Sequence, residues 1–243
     1  MIKSMVNVDW PVAEGIHAIS TVRWGGVSLG AYDSLNLAMH VGDSMHSVSQ
    51  NRHILRRQCS LPSEPVWLNQ THSSKVICAD TATVMPVADA SFTGQSGIVC
   101  AVLTADCLPV LLADKQGLWV GAVHCGWRGL LSGVLENTLI AMPGVDFIAW
   151  FGPAIGNTVF EVGDEVRDAF VKKSPKMEDA FKPFGKGCFL ADIYKLARLI
   201  LKDAGIDEIY GGTYCTFTDA SRFFSYRREK VTGRMVSLIW REF

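Results

Sequence analysis

From Leu103 to Gly129 the chain reads LTADCLPVLLADKQGLWVGAVHCGWRG. Two apolar runs here carry Asp106, Cys107, His124 and Cys125, where Val or Leu would pack as well. Thiol and imidazole together suit either of two chemistries: they ligate zinc, or they act as nucleophile and base. The segment Asp114–Gly117 suits a tight turn with Gly at its end. Pairing Asp114 with Gly117 puts Cys107 directly opposite His124. Cross-strand partners share a face, with Cβ atoms roughly 4.5–5.5 Å apart. A one-residue slip would separate the pair. Pro109 has no N–H to give the ladder, so a bulge or sheet edge is expected beside it. The plain structural alternative is a packed cysteine near a surface histidine.

A catalytic zinc usually takes three protein ligands and keeps one position open. His72 follows WLNQT and precedes SSKV, on a polar loop after an apolar strand, where site residues collect. His17 starts a strand, His40 and His46 lie in a polar loop, and His53 sits within a helix. Gly126-Trp127-Arg128-Gly129 opens another helix. N–H groups at a helix start and an arginine together make an anion site, and glycine lets a backbone approach closely. The alternative is a glycine turn with Arg128 paired to a carboxylate.

The elements that must position these groups are strands and helices in irregular order. HAISTVR is a strand running into Gly25-Gly26 and a polar loop. Ser47 is placed to cap a helix through Cys59, stopped by Pro62. PVWLNQTH and SKVICAD read as short strands. Arg128 to Ala141 has the spacing of one helix. FIAWFGPA is a buried strand, and Gly163 to Lys173 is helical. ADIYKLARLILKDAG is an amphipathic helix closed by Gly205. DEIYGG is a strand, and the tail reads as a hairpin turning near Thr232-Gly233. This mixture predicts α+β with mixed sheets, in one domain over residues 1–243. No GxGxxG or GxxxxGK[ST] occurs, so dinucleotide and P-loop chemistry lose support.

Composition narrows the class. Of 243 residues, 49% are hydrophobic and 19% charged, so a large core is expected. The net charge of −1 offers no surplus for a polyanion, so no nucleic-acid partner is expected. The run Arg227-Arg228-Glu229-Lys230 is broken by its acid and reads as a solvated turn. MIKSMVNVDWPVAEG does not read as a signal peptide. The longest apolar stretch, Ile98 to Ala113, is too short and interrupted to span a bilayer. A cytoplasmic chain with no membrane partner is expected. Its seven cysteines are odd in number and scattered, so reduced thiols are expected.

STVRWGGVSLGAYDSLNL, VWLNQTHSSKV, ADASFT, LTADCLPVLL, AVHCGWRGL, WFGPAIG with FEVG, and FFSYRRE followed by TGRM run across nearly the whole chain. Together they resemble the YfiH-like family, labelled as multicopper polyphenol oxidase or laccase-domain proteins and now read as purine nucleoside phosphorylases. The resemblance implies two packed mixed β-sheets with helices outside, similar to the catalytic domain of cytotoxic necrotizing factor toxins. It implies a zinc site on His72, Cys107 and His124. Cys125 stands where the family commonly has Ala, and strand alternation should turn it away from His124.

The implied reactions are phosphorolysis of adenosine, inosine and methylthioadenosine, and deamination of adenosine. The implied partners are a purine nucleoside and phosphate, with a homodimer as the candidate assembly. For that chemistry Arg23 and Arg128 are the candidates to hold phosphate. Asn36 and Gln70 are candidates to read purine or ribose edges. Asp106 is the candidate proton shuttle, with Glu161 behind it, and Tyr226 with Phe224 a candidate stacking wall. Two rivals remain. One is a metal-free Cys–His hydrolase or amidase, with a peptidoglycan-precursor editing role attached to such chemistry, in which His72 is peripheral. The other is copper-loaded polyphenol oxidation: copper outbinds zinc at most sites, yet a full multicopper set needs about ten histidines and the chain has six. A third class, a metal-stabilised binding protein, would show a closed fourth zinc ligand.

Overall fold

The structure is a computed structural model that describes residues 5–242. Met1 to Ser4, the start of the N-terminal stretch read above, and Phe243 lie outside the described residues. Among the described residues thirteen strands make three sheets, accompanied by six α-helices. One sheet is antiparallel, in the order β1 (Met5–Val6), β2 (Ile16–Thr21), β13 (Met235–Arg241) and β5 (Cys100–Thr104). A second is mixed, in the order β12 (Ile209–Gly211), β8 (Phe147–Phe151), β6 (Leu108–Asp114), β7 (Val120–Cys125), β4 (Ala90–Thr93) and β3 (Val76–Cys78). The third is small: β10 (Phe181–Pro183), β11 (Cys188–Ala191) and β9 (Glu161–Gly163).

Alternation along the strands builds the layers. Leu111, Ala113, Val120 and Ala122 of the mixed sheet pack against Cys100, Val102, Met235 and Ile239 of the antiparallel sheet. The residues between them, Val110, Leu112 and Val123, face the opposite way with Leu130, Leu135, Phe170 and Leu201. Those come from α2 (Trp127–Ser132), α3 (Val134–Ala141), α4 (Asp164–Lys173) and α5 (Ile193–Asp203). On the outer face of the antiparallel sheet, Leu103, Val236 and Leu238 pack with Leu35 and Leu37 of the preceding loop and with Leu55 of α1 (Met45–Gln58). The result is the expected pair of packed sheets with helices outside, of which one sheet is antiparallel throughout. No helix among the described residues is long and apolar enough to cross a membrane.

Several expectations are corrected. The β6–β7 hairpin is shifted by two, so that His124 pairs with Pro109 and Cys107 precedes the strand. The tight turn is present, with Gly117 N donating to Asp114 O at 3.0 Å, but the ladder closes on Trp119. Asp114 Oδ1 accepts from Leu118 N and absorbs the two extra residues. Because the strand period is two, this shift leaves residue faces unchanged. Pro109 lies within a central strand, at neither an edge nor a bulge. The Gly152 carbonyl beside it instead accepts from the Tyr194 hydroxyl at 3.1 Å. Ser44, not Ser47, caps α1. Gly133, at φ 91°, breaks the single helix expected from Arg128 into α2 and α3. The tail is no hairpin: α6 (Tyr226–Glu229) precedes β13.

Candidate metal centre and cleft

Two strand ends and one loop bring the three candidate ligands together. His124 ends the inter-sheet face of β7 and is 4% exposed. Cys107 is half-buried just before β6, after Asp106 at φ 92°. His72 is exposed on the loop before β3, at φ 60°. Their donor atoms all lie within 4.8 Å of one another. Cys107 Sγ is 3.7 Å from His72 Nε2, and the two imidazoles meet edge to face at 4.8 Å between centroids.

A buried acid holds this arrangement. Asp89, wholly buried beside β4, pairs with His124 Nδ1 at 2.8 Å. That bond leaves Nε2 of His124 for a ligand, as a carboxylate–histidine–metal arrangement requires. The same carboxylate accepts from the backbone N–H groups of His72 (2.9 Å) and Ser73 (2.7 Å). One side chain thus fixes both the tautomer of one ligand and the loop carrying another.

Burial alone would raise the Cys107 thiol, but the charge and hydrogen bonds of His124 and then His72 outweigh it and bring it to about 6. Burial would lower His124, yet the Cys107 thiolate and Asp89 outweigh it and raise it to about 9. Each group thus favours the charged form of the other, thiolate beside imidazolium. Cys125 faces the helix-side core, as alternation requires, and burial first of all pushes its thiol well above the ordinary range.

Two imidazoles and a thiolate form a good donor set for zinc. Gly126 leaves the room they need: a Cβ there would meet His72 Cδ2 at 2.9 Å and Cys107 Sγ at 3.1 Å. Gly126→Ala is expected to weaken zinc binding about 10- to 100-fold, the range for disturbing groups that orient ligands. Chelator competition measures it, and an unchanged affinity would show that the ligands move freely aside.

The three ligands line a cleft of about 680 Å³. Of the expected phosphate groups, Arg128 lines it, exposed and with its guanidinium 4.2 Å from the Trp127 ring. The helix it opens is only six residues long. Arg23 is not brought to the cleft. It bonds the carbonyls of Asp33 and Ala220 and pairs with Glu229 at 3.2 Å. Asn36 is not there either: fully buried, it bonds Ala38, Asp43 and the Arg234 backbone. Gln70 lines the cleft, but its amide is spent on both backbone groups of Leu103, at 2.8 and 2.9 Å.

Asp106 lines the cleft with both oxygens occupied, accepting from Thr216 Oγ1 and Arg227 N at 2.6 Å each. Glu161 lies outside the lining, on β9, where its carbonyl accepts from Arg227. Tyr226 forms part of the wall, while Phe224 is buried core.

Sequence reasoning missed Asp89, whose signal was the one charged residue in ADASFT. It also read the basic run as a solvated turn. Arg227 and Lys230 of that run line the cleft, together with Arg234 and His40. Arg228 instead bonds carbonyls of Thr216, Phe217 and Phe223.

The family model described as multi-copper polyphenol oxidoreductase laccase matches residues 17–242. A Shigella flexneri protein named Purine nucleoside phosphorylase YfiH is 49% identical, covering 97% of this chain and 98% of its own. A Pseudomonas aeruginosa protein, also named a purine nucleoside phosphorylase, is 47% identical over 96% of each chain. Among solved structures, a Neisseria meningitidis protein superposes with a TM-score of 0.95 at 49% identity, over 99% of this chain and 100% of its own. YlmD from Geobacillus stearothermophilus gives 0.91 at 29% identity, over 100% and 98%.

Proposed function

The chain belongs to the YfiH-like family, whose model carries the laccase description, and we propose that it is a zinc-dependent purine nucleoside phosphorylase with adenosine deaminase activity. Its substrates are adenosine, inosine and methylthioadenosine. The observation that carries this reading is the convergence of His72, Cys107 and His124 in a cation-lined cleft, in a chain 47–49% identical to relatives named for that activity.

In phosphorolysis a phosphate oxygen forms a bond to ribose C1′ as the C1′–N9 bond breaks. The electron pair leaves with N9, and a proton ends on the purine, giving ribose 1-phosphate and free base. Positive charge grows on the ribose and negative charge on the base. Zinc, held by His72, Cys107 and His124 with one position open, would supply electrophilic stabilisation and lower the pKa of a water toward about 7 for deamination. The chain's own groups do the rest. Asp89 holds His124 in the tautomer that faces the site. Asp106 keeps Arg227 and its helix beside Cys107 through the bond from Arg227 N, while Thr216 holds its other oxygen, a positioning role in place of proton transfer. Tyr226, 52% exposed, offers a ring against which a purine can lie.

Copper loading of the same donors accounts for the family description as side chemistry. Among the described residues, His72, Cys107 and His124 are the one group of three or more convergent ligands, short of a multicopper set.

Metal-analysed protein incubated with inosine and adenosine, with and without phosphate, tests the proposal. Ribose 1-phosphate should form only with phosphate, and adenosine should yield inosine without it. Folded, zinc-loaded protein that gives no base, no ribose 1-phosphate and no inosine would overturn the reading in favour of the Cys–His hydrolase. Arg128→Ala should raise the KM for phosphate about two- to fivefold, the worth of an exposed charge contact, with metal retained. If metal and activity fall together, Arg128 is structural.

A further inference from the structure

We propose that Arg234 is the residue that holds the phosphate beside the metal ligands; this rests on the phosphorylase reading above. Its backbone is clamped before its side chain is considered. Arg234 N donates to Asn36 Oδ1 at 3.0 Å, and its carbonyl accepts from Leu37 N. Asn36 is itself fixed by Asp43 and Ala38. The chain reaches this point through Gly233, where a Cβ would lie 2.7 Å from the Phe224 ring and 2.9 Å from Asn36 Cβ. The amide that sequence reasoning assigned to the substrate thus serves to place an arginine.

The guanidinium is half-spent. Nη1 donates to the carbonyls of Thr232 (2.9 Å) and Gly233 (3.0 Å). Those bonds fix the plane and leave the Nε–Nη2 edge with no acceptor among the described residues. That edge is the fork that grips a phosphate through two parallel bonds. Arg234 forms no ion pair with any described carboxylate. The acid near it, Asp106, has both oxygens spent on Thr216 and Arg227. Burial lowers the Arg234 pKa, opposed by the charges of Cys107 and Asp106, which places the guanidinium within their field. An unpaired, half-buried cation is costly unless an anion joins it.

The other cleft cations are placed differently. Arg128 and Lys230 are exposed. Arg227 is half-buried and its Nε–Nη2 edge is also open, but its guanidinium is drawn by Nη1 to the carbonyl of Glu161, a residue outside the cleft lining. Arg234 joins a clamped backbone and a free fork with a guanidinium on which the charges of Cys107 and Asp106 act. The guanidinium lies 5.7 Å from the centroid of the Tyr226 ring in the same cleft, so a phosphate gripped by Arg234 would share the cleft with a nucleoside whose base lies against Tyr226.

The test compares zinc-loaded wild type with Arg234→Gln, Arg234→Lys, Arg227→Gln and Arg128→Gln. Arg234→Gln should raise the KM for phosphate about 10- to 100-fold, the worth of lost charged hydrogen bonds, with zinc content unchanged. Arg234→Lys keeps the charge without the fork and should fall between. The other two should shift it by no more than about fivefold. Phosphate should also raise the melting temperature of wild type without nucleoside, and Arg234→Gln and Arg234→Lys should lose part or all of that gain. A phosphate KM within about twofold of wild type in both Arg234 variants, or an unchanged melting gain, overturns the assignment. If wild type makes no ribose 1-phosphate yet phosphate still stabilises it through Arg234, the phosphorylase reading falls and the anion subsite stands.

Discussion

Cys107→Ala should abolish ribose 1-phosphate formation from inosine and remove most of the bound zinc. Cys107 is the one anionic donor of the three, and its thiol is already brought to about 6 by His124 and His72 against the effect of burial. Alanine leaves two imidazoles, one of them on an exposed loop. Losing metal-based stabilisation of the transition state is worth several kcal/mol, so the rate should fall by about 10³-fold or more. The same loss would follow removal of a nucleophile, so Cys107→Ala alone does not separate the two chemistries. His72→Ala does. A three-ligand metal site predicts that it costs zinc and activity nearly as much as Cys107→Ala. A Cys–His nucleophilic pair predicts that the His72 imidazole, whose ring is not bonded to Asp89 as that of His124 is, is dispensable. Activity within about tenfold of wild type in His72→Ala, with no metal bound, would sink the zinc reading.

A related proton count follows from the same pair. Thiolate and imidazolium together carry one proton that a metal must displace from His124, whose pKa stands at about 9. Zinc binding near pH 7 should therefore release about one proton per site.

The sequence made the three candidate ligands legible because they interrupt patterns that packing would have kept apolar. The apolar runs predicted β6 and β7, and their alternation put Cys107 and His124 on one side. The pairing itself came out two residues wrong, since the Asp114–Gly117 turn is real but is not where the ladder closes. That error was harmless to the site, because faces repeat every two residues. Partners distant in sequence were harder to read. Asp89 acts through groups 16 to 35 residues away, and nothing local distinguishes a buried organiser from a turn acid. Arg23 and Asn36 sit in a loop rich in Gly and Ser, where guanidinium and amide serve backbone carbonyls as readily as ligands. Only the folded chain shows that Asn36 holds Arg234, and that the basic run before β13 borders a cleft.

Asp89→Asn should both destabilise the fold and loosen the metal. Asparagine keeps the shape but turns one oxygen into an N–H₂ donor, and each carboxylate oxygen accepts from at least one N–H group: Oδ1 from His124 Nδ1 and the His72 backbone, Oδ2 from the backbones of Thr71 and Ser73 beside their hydroxyls. Whichever way the amide lies, two donors face each other. Breaking a buried, fully hydrogen-bonded charge pair costs about 3–5 kcal/mol, and for a chain of this size each kcal/mol lowers the melting temperature by about 2–4 °C. A fall of about 6–20 °C is expected, with zinc affinity down about 10- to 100-fold because His124 loses its orienting partner. The pH dependence of the metal-free protein identifies the cause. Burial alone would raise Asp89, but the hydrogen bonds from His124 and Ser73 outweigh it and hold the carboxyl well below the ordinary range. A depressed carboxyl contributes stability that is full above its unfolded value, about 3.9, and is lost as pH falls through the folded value. His124, raised to about 9, contributes stability that is full below its unfolded value, about 6.5, and is lost as pH rises through the folded one. The pair's contribution is therefore whole between about pH 4 and 6.5. Wild type and Asp89→Asn should differ most in that window and converge on either side of it. A difference that stays constant from pH 3 to 9 would mean that Asp89 stabilises by packing alone.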